Sequence, residues 1–596
     1  MMWIICFTLS LFIFISAIIF SIIKRKGDDN HAQFLKPVNI LLVGVFLSAI
    51  LIFYPIYWNY FEQTNLIIIR IIESLLLAIH NTIRLFVIDS DFELVLSSLS
   101  ELTGFLPIAF PIFAALIYLI APLLTFGFIL SFFKNLKAYI SYLFSRGKDT
   151  YVFSGLNEYS INLATDIRKN HKRASIIFTD VYPNDDEKSI EQLEAIKSLG
   201  AICFKKDLTL INFKFLSKKR ELFFFILNEK EDENIRIFTH LNKTYKNRDL
   251  TEIYLFSRSV LTNMVLSDTL DSKIKIRRIN YAESLIYNTL FTRGHELFDS
   301  AKLDKDGKKV VSAVIIGLGN YGTTITKTLA WYCQMDGYKI KINAFDKNKY
   351  AESIFKSSCP ELMDNKYNDF EVEGEAYYSI KVHSKMDYTS IEFDEKINEI
   401  DDATFVFVNI GSDQLNMDCA VKLRMLFERK SIHPTINAVI YNSEHKKAIE
   451  NAKNFKGQSY DIHCIGDTKS TYSEKIILDS ELEKAGLKVH LSYTGNTPEG
   501  FWNFEYNYRS SIASAIHLIA KKHCNISGIH KKAEDRSIEE RNTIETLEHK
   551  RWNAYMRSEG YVYSPIRNDL AKTHYDLVNF EELDEETKRI DGKVCS

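Results

Sequence analysis

Apolar residues crowd the first 140 positions of this 596-residue chain and then recur only in short runs. Trp3 to Ile23 is uncharged over about the 20 residues that a bilayer crossing needs, and Lys24, Arg25 and Lys26 follow directly. Val38 to Tyr57 is a second uncharged run, closed by Tyr57, Trp58 and Tyr60, residue types that gather at membrane–water boundaries. Phe105 to Phe133 is a third, containing Pro107, Pro111 and Pro122 and followed by Lys134, Lys137, Arg146 and Lys148. The pattern predicts spans over 3–23, 38–57 and 105–133 and a basic neck over 135–149. Basic flanks after the first and third spans put both in the cytosol and the N-terminus outside, as expected in a cell (inner) membrane. A secretory signal peptide would carry its charge before the apolar stretch; here it comes after.

The segment from Asn65 to Ile88 is apolar but carries Arg70, Glu73, His80 and Arg84. At 100° per residue these four fall within an arc of about 80°, one polar stripe along a helix. This predicts an amphipathic helix that is interfacial, re-entrant or facing a water-filled path, since a fourth span would put the soluble part outside. A stripe that merely lies at the headgroups is the plainer alternative. A potassium filter uses carbonyls of a T-V-G-Y-G type loop. Between positions 38 and 134 the glycines are Gly44, Gly104 and Gly127, so potassium selectivity is unsupported.

After the neck, short apolar runs alternate with helical patterns twice over, the signature of βαβ units and a mostly parallel sheet. In the second copy, strand Val310 to Ile316 leads into Gly317-Leu318-Gly319-Asn320-Tyr321-Gly322 and a helix from about Thr323. The first glycine permits a tight turn, the second lets backbone amides approach a pyrophosphate, and the third lets helix and strand pack closely. Asp346 ends the strand Lys341 to Phe345, where a ribose-binding acid belongs. Further strands are expected over Thr404 to Ile410, Thr435 to Tyr441 and Asp461 to Ile465. The first copy opens with Tyr151 to Ser154 and Gly155-Leu156-Asn157-Glu158-Tyr159-Ser160, so Gly155, Asn157 and Ser160 occupy the three glycine positions; Asp180 ends its next strand. Side chains at the second and third positions obstruct a phosphate, leaving a packing-only fold as the alternative to a second site.

The two copies, over about 150–300 and 308–470, resemble the TrkA-N/RCK-like cytosolic domains that regulate potassium conductance. Lys206-Asp207-Leu208-Thr209 stands where that family often has G-D-A-T, Glu221 to Glu233 fits its apolar strand and acidic helix start, and Arg278-Ile279-Asn280 resembles its late strand. The resemblance implies NAD or another nucleotide derivative as ligand and a homo-oligomeric ring, dimer or tetramer, that pulls on inner helices. The altered glycines of the first copy and the missing filter depart from the family.

The last hundred residues run Leu547-Glu548-His549-Lys550-Arg551-Trp552-Asn553-Ala554-Tyr555, then Gly560-Tyr561-Val562-Tyr563, Arg567-Asn568, Lys572, His574 and Leu577-Val578. This order resembles the ryanodine-receptor (RyR) repeat domain over about 500–592, with Tyr561 in place of tryptophan and Asn579 in place of proline. The preceding stretch Trp502 to Lys522, with Tyr508, Arg509, Ser510 and His517, resembles the element before the repeat in bacterial versions. The resemblance implies a sensor of nucleotide derivatives in antiviral signalling, with ADP-ribose or a cyclic nucleotide among the candidate ligands and an upstream nucleotide-generating enzyme as partner. His549, Arg551, Trp552, Tyr561, Tyr563, Arg567 and His574 bring together aromatic faces and cations suited to bases and phosphates; a small helical core with these aromatics packed inside is the alternative.

The expected fold is therefore multi-domain: an α-helical membrane region, two α/β Rossmann-like parallel-sheet domains and a small mainly helical C-terminal domain. A formal net charge of -2 gives no reason to expect nucleic acid as a partner. Eight scattered cysteines without a C-x-x-C pair support neither zinc ribbons nor a disulfide framework. No G-x-S-x-G, H-E-x-x-H or P-loop occurs, and no catalytic or metal site is expected. The expected function is a nucleotide-sensing, ligand-gated, channel-like membrane effector. The alternatives are a membrane-tethered NAD-dependent oxidoreductase and a regulatory subunit of a separate ion transporter.

Overall fold

The computed structural model describes residues 2–26, 35–64, 66–90, 92–100, 104–181, 187–213, 217–257, 273–368, 378–493 and 495–592. Asn65, the expected start of the striped helix, and Cys595 lie outside them. The chain forms two compact units.

The first unit is built on the helices Met2–Lys26, Leu35–Tyr60 and Leu106–Phe144. Each contains a stretch long and apolar enough to cross a membrane, over 2–22, 40–60 and 106–126. Where solvent effects cannot drive helices together, close backbone approach and polar pairs do. The first two helices show both: a Cβ on Gly44 would lie 2.2 Å from that of Ala17. Ser10 Oγ donates to the Ser48 carbonyl at 2.9 Å and Ser48 Oγ to the Ser10 carbonyl at 3.1 Å. Phe53, Phe110, Ala114 and Ile117 fill the core between the helices, while Phe12, Phe20, Leu119 and Phe126 point outward. The third helix does not stop at 133. It continues through the basic neck to Phe144, where Lys206 Nζ donates to Tyr139 Oη at 3.2 Å.

Helix Ile67–Phe86 has three faces rather than two. Ser74, Ala78, Asn81, Thr82 and Leu85 are buried inside the unit, whereas Ile68, Ile72, Leu75, Leu76 and Ile83 are exposed. The predicted stripe runs along the edge between them. Arg70 donates to the Trp58 carbonyl from Nε (3.0 Å) and Nη2 (2.6 Å) and lies 4.4 Å over that ring. Arg84 pairs with Asp89 at 3.2 Å, Glu73 is half-buried and His80 is exposed.

The second unit holds two parallel sheets and a helical C-terminal part. The first sheet places Ser175–Thr179, Thr150–Ser154, Leu222–Ile226, Thr251–Phe256 and Lys275–Ile279 side by side in that order. Val152 lies opposite Phe224, and Phe224 opposite Ile253. Thr150–Ser154 and Leu222–Ile226 are buried along their whole length, which is why the sequence shows unbroken apolar runs rather than alternation. On one face Tyr151 stacks on Phe223 (4.7 Å), Phe153 on Phe225 (4.8 Å) and Phe225 on Tyr254 (4.9 Å), a cross-strand ladder of large rings.

The second sheet runs Ser379–Ser384, Tyr338–Asp346, Lys309–Ile316, Phe405–Val408, Thr435–Val439 and Ile462–Ile465, all parallel, with the short antiparallel Lys302–Leu303 beside Lys309–Ile316. Ala313 faces Ile342 on one side and Phe405 on the other. In both sheets the strand that comes first in the chain is flanked by the next strand and by one reached over a crossover, so each has a crevice at the carboxyl ends of its strands.

The expected helix over 502–522 is two, Pro498–Asn503 and Glu505–His523, separated by Phe504 in an extended conformation. Helix Ile538–Ser558 opens with a capping box between Ser537 and Glu540 and leads to a parallel pair of two-residue strands, Val562–Tyr563 and Thr573–His574. These helices share one hydrophobic core with the second sheet: Trp331, beside the glycine-loop helix end, meets Tyr555 edge-on at 6.0 Å. Arg557, fully buried, reaches Glu361 at 3.2 Å and lies 3.8 Å over Tyr367.

Candidate functional site

The glycine loop of the second sheet has the geometry its sequence demands. Gly317 has φ +89°, and a Cβ there would lie 2.1 Å from the Asn409 carbonyl oxygen. A Cβ on Gly322 would lie 1.7 Å from the Gly317 carbonyl oxygen. Around Gly319, by contrast, a Cβ would meet nothing within 4 Å. Gly319 is the N-cap of helix Asn320–Tyr332, and no side chain caps that helix, leaving its positive end turned toward open space. Asp346 braces the loop: Oδ2 accepts from the Leu318 amide (2.7 Å) and Oδ1 from the Asn348 amide (2.7 Å). Its remaining lone pairs suit a hydroxyl donor. Asn320 and Tyr321 line a cleft of about 390 Å³ between the two sheets' carboxyl edges.

The first copy fills the equivalent space with its own atoms. Gly155 keeps the turn, with φ +84°. Asn157 Oδ1 accepts from the Ser160 amide (2.9 Å), Ser160 Oγ accepts from the Asn157 amide (3.0 Å), and Asn157 Nδ2 donates to the Leu227 carbonyl (2.7 Å). This capping box answers the helix's first amides internally. Asp180 takes a left-handed conformation, φ +58°, and its amide donates to the Lys206 carbonyl at 2.9 Å.

The C-terminal helices enclose a second cavity of about 320 Å³. Four of the seven residues singled out in this region line it: His549, Arg551, Trp552 and His574. Three do not: Tyr561 is buried in the core, Tyr563 is exposed, and Arg567 pairs with Asp569 at 3.3 Å. Beneath the cavity, Glu548 accepts from Arg551 Nε (3.1 Å) and Nη2 (2.7 Å), Ser514 Oγ (2.8 Å) and Lys521 Nζ (2.7 Å). Burial alone would raise the Glu548 pKa, but the two cations hold it well below the carboxylate range. Two cations share this one carboxylate, and Asp576 is a second carboxylate on the cavity wall. Arg551 is 2 % exposed, and its Nη1 has no hydrogen-bond partner. A buried donor of this kind costs roughly 1–3 kcal/mol unless something accepts from it.

The rings above are held in place by hydrogen bonds and by one another. His549 Nε2 donates to the Val578 carbonyl at 2.9 Å, and the His549 ring stacks near Trp552 (5.9 Å). His574 Nδ1 accepts from the Asp576 amide at 3.1 Å and the ring meets Trp552 edge-on at 5.0 Å. Burial, with Arg567 nearby, lowers the His574 pKa to about 4, so this ring is neutral. Sequence reasoning missed the other wall, which includes Tyr493, Asn496, Tyr506 and Asn507; only Ser510 of that wall had been singled out. Neither protein-family models nor curated protein sequences give a match to this chain. The resemblances above therefore rest on their motifs, and the chain is established as one with three potential membrane helices and two Rossmann-like parallel sheets.

Proposed function

We propose that this chain is a nucleotide-sensing membrane effector in which an anionic nucleotide derivative binds the C-terminal RyR-like cavity and changes the state of the membrane helices. The observation that carries this reading is a cavity walled by both the Arg551 guanidinium and the Trp552 indole. A guanidinium suits a phosphate and an indole suits a base. The glycine loop at Gly319 offers NAD or a related dinucleotide a second place, in keeping with the RCK-like reading. The helix running from the apolar stretch through the neck gives a route to the membrane. On this reading the assembly is a homo-oligomer of the inner membrane with its α/β part in the cytosol. Ligand binding opens an ion leak, as a bacterial antiviral effector would, and an upstream enzyme supplies the ligand.

Full-length protein in liposomes tests this with NAD, ADP-ribose, ATP and cyclic nucleotides, reading ion flux and thermal unfolding together. A ligand at a hundred times its Kd stabilises the folded state by about 2.7 kcal/mol. Ser510→Trp, which puts a large ring on the cavity wall, is expected to abolish the shift and the flux. A shift that survives Ser510→Trp and is lost in Gly319→Asp moves the site to the glycine loop. No shift with any nucleotide overturns the reading.

A further inference from the structure

We propose that helices Ile67–Phe86 and Phe92–Ser100 are the limbs of a re-entrant hairpin whose turn, carrying the Arg84–Asp89 pair, sits in a water-filled path for small ions. The proposal names a route for the ion leak of the proposed function and rests on that reading. Contacts among the three long helices fix their directions. Ser10 bonds to Ser48 while Ala17 meets Gly44, so the first two run antiparallel. Trp3 meets Phe110 at 5.7 Å and Phe14 meets Phe113 at 5.7 Å, so the first and third run the same way. Trp3, Tyr60 and Leu106 therefore share one end of the bundle. Helix Ile67–Phe86 starts from that end, where Arg70 holds the Trp58 carbonyl, and finishes where Phe86 meets Phe46 at 5.8 Å. Phe46 lies about 21 Å along its helix from Tyr60, in an apolar core of about 30 Å. Ser90 Oγ then lies 3.0 Å from Tyr118 Oη, and the Phe92 ring 4.8 Å from that of Tyr118. Tyr118 is about 18 Å along its own helix from Leu106. From this depth the chain must regain Leu106 at the starting end, so both limbs open on the same side.

The turn is not built for lipid. Arg84 and Asp89 pair at 3.2 Å, yet their side chains are 40 % and 75 % exposed. An ion pair left open at this depth is expensive in hydrocarbon and is found where water or a protein cavity receives it. Arg70, Glu73, His80 and Arg84 descend one edge of the limb helix, so ionisable groups run from the starting end to the turn. The residues exposed on the third helix, Ile108, Ile112, Leu116, Leu119 and Leu123 among them, form an apolar stripe that suits lipid. The wet face therefore belongs to the hairpin. Along it two arginines, Arg70 and Arg84, cancel two carboxylates, Glu73 and Asp89, in formal charge. Such a balance suits a path that passes small ions of either sign.

Substituted cysteines in the full chain test this without any nucleotide. The protein is placed in liposomes with a membrane-impermeant trimethylammonium methanethiosulfonate on both sides, and the modified residue is located by mass spectrometry. Asp89→Cys is expected to react at least about tenfold faster than Leu119→Cys, beside Tyr118 at the same depth, since a thiol in lipid does not ionise. Should Asp89→Cys fail to fold, Ile88→Cys, at an 81 % exposed neighbour that leaves the ion pair intact, is expected to show the same ratio. Reaction at the turn no faster than at Leu119→Cys overturns the proposal. Nucleotide-gated flux in the unaltered protein would then keep the proposed function and move its route elsewhere. Fast reaction without any nucleotide response would leave the wet hairpin standing and remove only the gating.

Discussion

The two glycine loops show one fold answering the same local problem in two ways. Each must satisfy the first amides of a helix that follows a buried strand. The first copy does so with Asn157 and Ser160 and thereby closes the space above the helix. The second leaves Gly319 bare and packs Gly322 against Gly317, which keeps that space open at the expense of an uncapped helix. What separates a Rossmann-like sheet with a closed loop from one with an open loop is here two side chains, not a change in topology. An uncapped helix end in an otherwise well-satisfied fold points to function more clearly than the glycine count does.

The largest expected break in this contrast comes from giving the second loop the first loop's third residue. Gly322→Ser puts a Cβ where the Gly317 carbonyl stands, and overpacking of that severity is expected to lower stability by about 3 kcal/mol or more in chemical denaturation. Acid should then separate the copies nearly as strongly. His517 Nε2 donates to the Gln334 carbonyl at 2.7 Å, just past the second copy's glycine-loop helix, and burial lowers its pKa from 6.5 to about 4. Its stabilising contribution is complete above pH 6.5 and is lost as the pH falls toward 4, by about 3 kcal/mol. Hydrogen exchange should show the second copy loosening first, and His517→Gln should flatten the profile.

Smaller effects come from trading the caps themselves. Asn157→Ala is expected to cost about 1–2 kcal/mol, since it removes a cap and a bond to Leu227, with a lowered Tm as the readout. Gly319→Asn, at a position with open space and an extended backbone, should raise stability by only about 0.3 kcal/mol. It should also abolish any ligand response of the second loop. A Gly319→Asn variant that destabilises the protein would mean the open space is not open in solution.

Much of this was legible in the chain. Tyr151–Ser154 and Val310–Ile316 were legible as strands because each apolar run leads into a glycine turn and a helical pattern, and the glycine spacing located the second loop, where Gly317 and Gly322 have a steric reason. The edge strand Ser379–Ser384 was not legible: it is short, half-buried and polar, and has no run to announce it. The Phe504 break was hidden because helical periodicity continues across it. In the C-terminal part, the residue types foretold cations and rings but not which would face the cavity. Arg551 and Arg567 look alike in sequence, yet one is sealed beside Glu548 and the other sits with Asp569 at the surface. The ring cluster at the cleft was invisible for another reason: Tyr159, Tyr281 and Tyr472 share no spacing and become neighbours only when two sheets present their edges to one another.

The unbroken helix Leu106–Phe144 has a mechanical consequence. Its 39 residues make a rod of about 58 Å, nearly twice the apolar thickness of a bilayer. A coiled neck would absorb torque; a helical one hands it on. Pro111 and Pro122 remove backbone hydrogen bonds only in the upper half, so the lower half is the stiff arm and the prolines are the compliant joint. A twist applied near Tyr139 is therefore delivered as a bend among the apolar helices. Each residue inserted between Phe133 and Tyr139 would turn that arm by about 100°, detuning the joint without altering any binding site.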